Sequence, residues 1–337
     1  MRLAGSLSQN VIEALRGGIF NRFKIKKRRD ALFFEDILAE YIRECEKRGY
    51  GAEIEKNNYD SFVMLLDFLL PAWSRALPPS LIFNMLRKVW VNIGLIDDMR
   101  VRIDGNAVFF RMKNECITRI IGANRYSVGG IGGIVKCAFR CEARATGVKK
   151  VGNGEWEYSF ELERKKYSPL KIKSEEEYEL LNRVPKSYGV DLKKAISSGF
   201  FRIEQNRIFF RTLSLWHVES VFLHTLGNLG LCLDAVPKIA YAKFKGVVKK
   251  ESTAEQKIVL MKNLFESMGW GIFKINYAGA SRITVEISNP PYGLQAEPDN
   301  WTILLLTILG YLWTINKKLK LKNVFHGERL MRATYSA

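Results

Sequence analysis

Basic residues that alternate with apolar ones form the most suggestive chemical pattern in this chain of 337 residues. Arg22, Lys24 and Lys26 alternate with Phe23 and Ile25, and Arg100 and Arg102 with Val101 and Ile103. Lys318, Lys320 and Lys322 alternate with Leu319 and Leu321, and Lys171 and Lys173 flank Ile172. Successive side chains on a strand point to opposite faces, so each run places its cations on one face and its apolar residues on the other. Such a face can hold phosphates. It can also be a device against aggregation, because lysine on an exposed sheet or edge discourages pairing with other chains. The overall charge favours the first use: 53 Lys+Arg against 35 Asp+Glu gives +18. The excess is spread along the chain, with 19 basic and 15 acidic residues in 1–115, 19 and 11 in 116–211, and 15 and 9 in 212–337. A basic field of this kind draws anionic partners, nucleic acid first, and leaves contact with an acidic membrane surface open.

Catalytic constellations are not found. His217 and His224 are seven residues apart, two helical turns, and His326 stands alone; no serine or cysteine context around them suggests a triad. Cys137 and Cys141 could share a helix face, yet no second close Cys or His pair supplies the other ligands that zinc requires. No metal and no cofactor are therefore expected. Five cysteines with irregular spacing make no disulfide framework and point to a reducing compartment, taken as the cytoplasm. The glycine-rich run "GGIGGIVK" lacks the GxxxxGK[ST] pattern of a phosphate loop and reads as a flexible turn before a helix. The apolar run Trp301 to Ile315 would give about 22 Å of helix, short of a hydrocarbon core of roughly 30 Å, so a buried helix is expected and not a membrane span. The first twenty residues lack the long apolar region of a secretion signal.

The elements that would carry the basic faces repeat. "RIDGNAVFFR" (Arg102 to Arg111) and "RIEQNRIFFR" (Arg202 to Arg211) share six of ten residues at an offset of 100. Each reads as strand, polar turn, strand, which adds Arg202 to the basic set. Adjacent strand residues face opposite ways, so one Phe of each pair should be core and the other either exposed or, as the favoured reading, covered by a neighbouring unit. "RFKIKKRRDALFF" reads as a further hairpin, and "KLKLKNVFHGERLMRATYS" as the last. A second marker is Gly49-Tyr50-Gly51, matched by Gly269-Trp270-Gly271. Each follows a helical pattern and is expected to lead into two β-rich runs, an apolar helix and a hairpin. Gly49 lies 56 residues before Gly105, and Gly269 58 residues before Gly327, which argues for duplication. In the middle third, "KCAFRCEARATGVKK" and "SEEEYELLNRVPKSYGV" read as helices, "EWEYSFELER" and "SPLKIKS" as strands.

The run "SMGWGIFKI", "VEISNPP", "ILGYLW", "VFHGERLMRA", with its counterpart "KRGYGAEI", "SFVMLLDF", "VNIGL", "IDGNAVFFRM", resembles the 4-vinyl reductase domain, a small-molecule-binding α/β module. The resemblance covers roughly residues 20–115 and 200–335. It implies a ligand-sensing role with an apolar pocket beside Trp270 and Trp313, and Tyr50 and Trp90 in the first copy. The family often carries cysteines in the terminal hairpin; neither hairpin here has one, so thiol chemistry does not carry over. The LAGLIDADG homing endonucleases share a helix-β-β-helix-β-β unit but need an acidic residue before a glycine at a helix end. Arg48 and Met268 occupy those places.

The sequence thus predicts an α/β protein of the α+β type: tandem helix-β-β-helix-β-β units with mainly antiparallel sheets and helices on one face. The units are expected at 1–115, 116–211 and 212–337. The expected function is binding without catalysis, nucleic acid being the leading partner. The alternatives are ligand sensing and service as a subunit of a larger protein complex.

Overall fold

The computed structural model describes residues 30–69, 77–163, 192–290, 298–327 and 330–337. The protein is an α+β fold with three four-stranded antiparallel sheets and helices packed against them. Strand β1 (Asp30–Phe34) leads into helices α1 (Glu35–Lys47), α2 (Gly51–Leu69) and α3 (Pro79–Asn92). Hairpin β2 (Asp98–Asp104) and β3 (Ala107–Lys113) comes next, then α4 (Thr118–Ile121) and α5 (Arg125–Phe139). Strands β4 (Glu142–Gly152) and β5 (Glu155–Glu163) complete sheet I, ordered β2-β3-β5-β4. After α6 (Leu192–Ser197), strands β6 (Arg202–Glu204), β7 (Arg207–Phe210) and β8 (Leu213–Glu219) join β1 in sheet II, ordered β1-β8-β7-β6. Helices α7 (Ser220–Leu229), α8 (Val236–Val247) and α9 (Ala254–Ser267) lead to β9 (Ile272–Tyr277) and β10 (Arg282–Ser288). Helix α10 (Thr302–Leu312) precedes β11 (Lys320–Gly327) and β12 (Leu330–Ser336), giving sheet III in the order β11-β12-β10-β9.

The predicted unit boundaries do not coincide with these sheets. Sheet I joins the hairpin of 1–115 to strands of 116–211, and sheet II joins β1 to strands on both sides of residue 211. Boundaries drawn from the repeats assume that neighbours in sequence pair, whereas strand pairing is settled by which apolar faces must be covered. Residues 31–34 of β1 are all buried: Leu32 accepts from the Trp270 indole Nε1 at 2.7 Å, and Phe33 stacks on that ring at 5.6 Å. One core therefore lies under sheets II and III together, and another under sheet I.

The two Gly-aromatic-Gly markers begin alike and then part. Gly49 and Gly269 are left-handed (φ +90° and +81°). Tyr50 N–H donates to Cys45 O and Trp270 N–H to Phe265 O, so both close a helix by the same glycine-dependent cap. After Trp270 the chain enters β9, as expected. After Tyr50 it enters α2, in place of the expected strands. The buried positions 51, 54, 58, 61 and 65 recur every three to four residues, a helical stripe; Asn58 and Ser61 on it concealed the stripe from a reading by hydrophobicity.

"GGIGGIVK" is the interior of α5, not a turn. Asn124 caps that helix by accepting from Ser127 N–H at 2.7 Å. Its glycines let the backbone of α2 come close: a methyl on Gly129 would sit 2.0 Å from Glu55 O, and one on Gly133 2.5 Å from Tyr59 O. The segment from Lys136 was expected as helix; α5 ends at Phe139 with Arg140 left-handed (φ 59°), and β4 comes directly after. "EWEYSFELER" is β5 as expected, while "SPLKIKS" and "SEEEYELLNRVPKSYGV" lie outside the described residues. Among the described residues no helix is long and apolar enough to cross a membrane.

Candidate nucleic-acid interface

The duplicated hairpins share one register. Arg102 pairs with Phe109 and Arg202 with Phe209, and each guanidinium covers the ring opposite it, at 4.0 and 5.6 Å. Phe110 and Phe210 are core. Phe109 and Phe209, expected to be covered by a neighbouring unit, are instead half-buried with their own hairpin's arginine over them. The turns differ: Gly105 alone is left-handed in the first hairpin, Gln205 and Asn206 both in the second.

Strand alternation does place the β2 arginines on the solvent face of sheet I, but that face is not basic. Cross-strand rows place Arg100 beside Arg111, Glu157 and Lys149, and Asp104 beside Ala107, Glu161 and Arg144. Arg100 pairs with Asp98 at 3.3 Å, Arg102 with Asp104 at 3.1 Å, Arg144 with Glu161 at 2.7 Å and Lys149 with Glu157 at 2.9 Å. The two pairs exposed on both sides, Arg102–Asp104 and Arg144–Glu161, contribute only about 0.2–1 kcal/mol each to stability, while Glu157 is buried. The larger effect of all four pairs is to cancel the field an anion would feel. Arg202 is likewise held by Glu204 at 2.5 Å. The runs at Arg22, Lys24, Lys26 and at Lys171, Lys173 lie outside the described residues.

Sheet III is different. Ile283, Val285 and Ile287 of β10 and Met331, Ala333 and Tyr335 of β12 are fully buried in the core to which α9 and α10 contribute, so the alternate residues must face solvent. Three rows result. Lys274, Glu286, Arg332 and Phe325 form one; Asn276, Thr284, Thr334 and Asn323 the next; Arg282, Ser336 and Lys320 the third. Four cations meet a single carboxylate, Glu286, which pairs with Arg332 at 2.9 Å. Lys274, Arg282 and Lys320 have no ion-pair partner among the described residues. Lys322 sits at a bulge between Leu321 and Asn323 and is exposed; Lys318 is exposed just before β11. Phe325 is 57% exposed. Strand spacing and rise make the patch about 14 Å wide and about 13 Å long.

Of the predicted cations, then, Lys318, Lys320 and Lys322 lie on or beside a basic face, while Arg100, Arg102 and Arg202 are paired out. Sequence reasoning missed Lys274, Arg282, Arg332 and Phe325. Lys274, Arg282 and Arg332 sit on three further strands, and only the register assembles them with Phe325.

The aromatic residues expected at a ligand pocket do not converge. Trp270 is fully buried and stacked on Phe265 at 4.5 Å as well as on Phe33, so protein rings fill the space beside it. Trp313 donates its indole N–H to Leu319 O and packs on Tyr241. Tyr50 is exposed at the end of α1, and Trp90 is half-buried on α3 against Phe62. His217 and His224 lie on different elements, β8 and α7. Among the described residues no three His, Cys, Asp or Glu side chains are grouped to hold a metal. Burial pushes the thiols of Cys45, Cys116 and Cys141 up from their ordinary value, the reverse of what a nucleophilic thiol requires. Burial also pulls the His326 imidazole, on the inner face of β11, down from its ordinary value.

Comparison with protein-family models, with curated proteins and with solved structures finds no match to this chain.

Proposed function

We propose that this protein binds nucleic acid through the solvent face of sheet III, without catalysing a reaction. The observation that carries the reading is the charge of that face, four cations against one carboxylate, set beside the near-neutral lattice on sheet I. Ordinary solubility would be served by either surface; only one concentrates unpaired cations between uncharged hydrogen-bonding groups. The excess of basic residues along the whole chain adds long-range attraction for a polyanion. Because all five cysteines are free, we place the protein in a reducing compartment, the cytoplasm.

The 4-vinyl reductase resemblance is retained as a proposal for the third unit alone. It is supported there by the order α9, β9-β10, α10, β11-β12 and by Gly310, whose close approach to Ala240 and Pro237 suits an internal glycine in the apolar helix.

The test is fluorescence anisotropy of the intact protein with labelled oligonucleotides across a salt series. Phosphate binding requires affinity to fall steeply with salt. An affinity unchanged between about 50 and 200 mM salt, or no binding at low salt, overturns the proposal.

A further inference from the structure

Resting on that reading, we infer that sheet III selects single-stranded over double-stranded nucleic acid. The first reason is shape. The major groove of a duplex is about 12 Å wide and admits a helix or a two-stranded ribbon. The patch on sheet III spans four strands, about 14 Å before side chains are added, and cannot enter. Against a duplex this face meets phosphates only.

The second reason is the chemistry that lies between the cations. The middle row, Asn276, Thr284, Thr334 and Asn323, carries side chains that both donate and accept hydrogen bonds. Phosphates accept only, so the acceptor half of that row has no use on a duplex backbone. It suits base edges, which carry both kinds of group and are open in a single strand. Phe325 makes the same point more strongly. An aromatic ring left 57% exposed in a row with Lys274 and Arg332 is a stacking platform for an unpaired base and has nothing to stack on in a duplex. Cations on two rows then hold the backbone on either side of the bases.

The experiment compares the full chain bound to a mixed-sequence strand of about 20 nucleotides, as DNA and as RNA, with the duplex of the same sequence at one low salt concentration. The single strand is expected to bind about tenfold more tightly or better. Phe325→Ala should weaken single-strand binding about tenfold and leave duplex binding unchanged, and Phe325→Tyr should keep the wild-type preference. Equal or tighter duplex binding, or a Phe325→Ala variant that binds single strands as wild type does, overturns this inference and leaves nucleic-acid binding standing. Failure to bind either form overturns both.

Discussion

Replacing Gly129 by alanine tests the packing of sheet I most sharply. The added methyl would lie 2.0 Å from the carbonyl oxygen of Glu55, a backbone atom of α2. Ordinary contact begins near 3.4 Å, so α2 and α5 must separate by more than an ångström along a face where Gly130 and Gly133 are nearly as tight. Alanine favours a helix over glycine by about 1 kcal/mol. Overpacking typically costs about 1–3 kcal/mol and more where backbone must move. With backbone on the far side, the upper end applies, and a net loss of about 2 kcal/mol is expected. Gly147→Ala is the control, since nothing lies within 4 Å of the added carbon and its φ is not left-handed. Urea unfolding should show a lower midpoint at unchanged slope for Gly129→Ala and a midpoint at or near wild type for Gly147→Ala. A Gly129→Ala variant as stable as wild type would refute the close helix packing.

Other residues give further tests. Glu35 is fully buried, accepts a bidentate contact from the Arg119 guanidinium and receives the Ser214 hydroxyl at 2.7 Å; burial pushes its carboxyl up and Arg119 opposes that. Glu35→Gln should cost about 3 kcal/mol in urea unfolding because Arg119 is left as an uncompensated charge. Gln205 occupies a left-handed position in the β6-β7 turn (φ 49°), so Gln205→Gly should raise stability by about 0.5 kcal/mol, read as a higher urea midpoint. The Arg211 guanidinium holds the Glu251 carboxyl below its ordinary value. The pair's contribution is therefore full above the unfolded carboxyl value of about 4.3 and disappears as pH falls through the lower folded one. Glu251→Gln should remove that part of the acid sensitivity, measured as unfolding midpoints from about pH 6 down to 3.

How much of this was legible in the sequence depends on the range of interactions that each feature needed. Hairpins declare themselves locally, and both copies of the "FFR" motif fold in the register that their turns dictate. The helix cap at Gly49 and Gly269 is also local, and both copies form it. The element after each cap is decided by tertiary burial, which is why Tyr50 leads to a helix and Trp270 to a strand. "GGIGGIVK" misleads for the same reason: glycine weakens an isolated helix, but here it lets a second helix within reach. The basic face needed the most structure. Alternation correctly placed Arg100 and Arg102 on a solvent face, yet their neutralising partners Asp98 and Asp104 share that face, and Glu157 and Glu161 arrive from β5. Lys274, Arg282 and Arg332 also alternate with apolar residues, but each is the one cation of its strand, so they became a basic surface only when the strands aligned.

The central claim is that sheet III, and not sheet I, carries the phosphate contacts. Salt-dependent binding of a single-stranded oligonucleotide to two triple variants tests it: Lys274→Ala with Arg282→Ala and Lys320→Ala, against Arg100→Ala with Arg102→Ala and Arg144→Ala. Removing one cation from a single-strand phosphate flattens the logarithmic salt slope by about 0.7. The sheet III variant should therefore flatten it by about 2, so that the fall in affinity from about 50 to 200 mM salt becomes about twentyfold smaller than for wild type. The sheet I variant should keep the wild-type slope. Equal flattening by both, or flattening by the sheet I variant alone, would contradict the account.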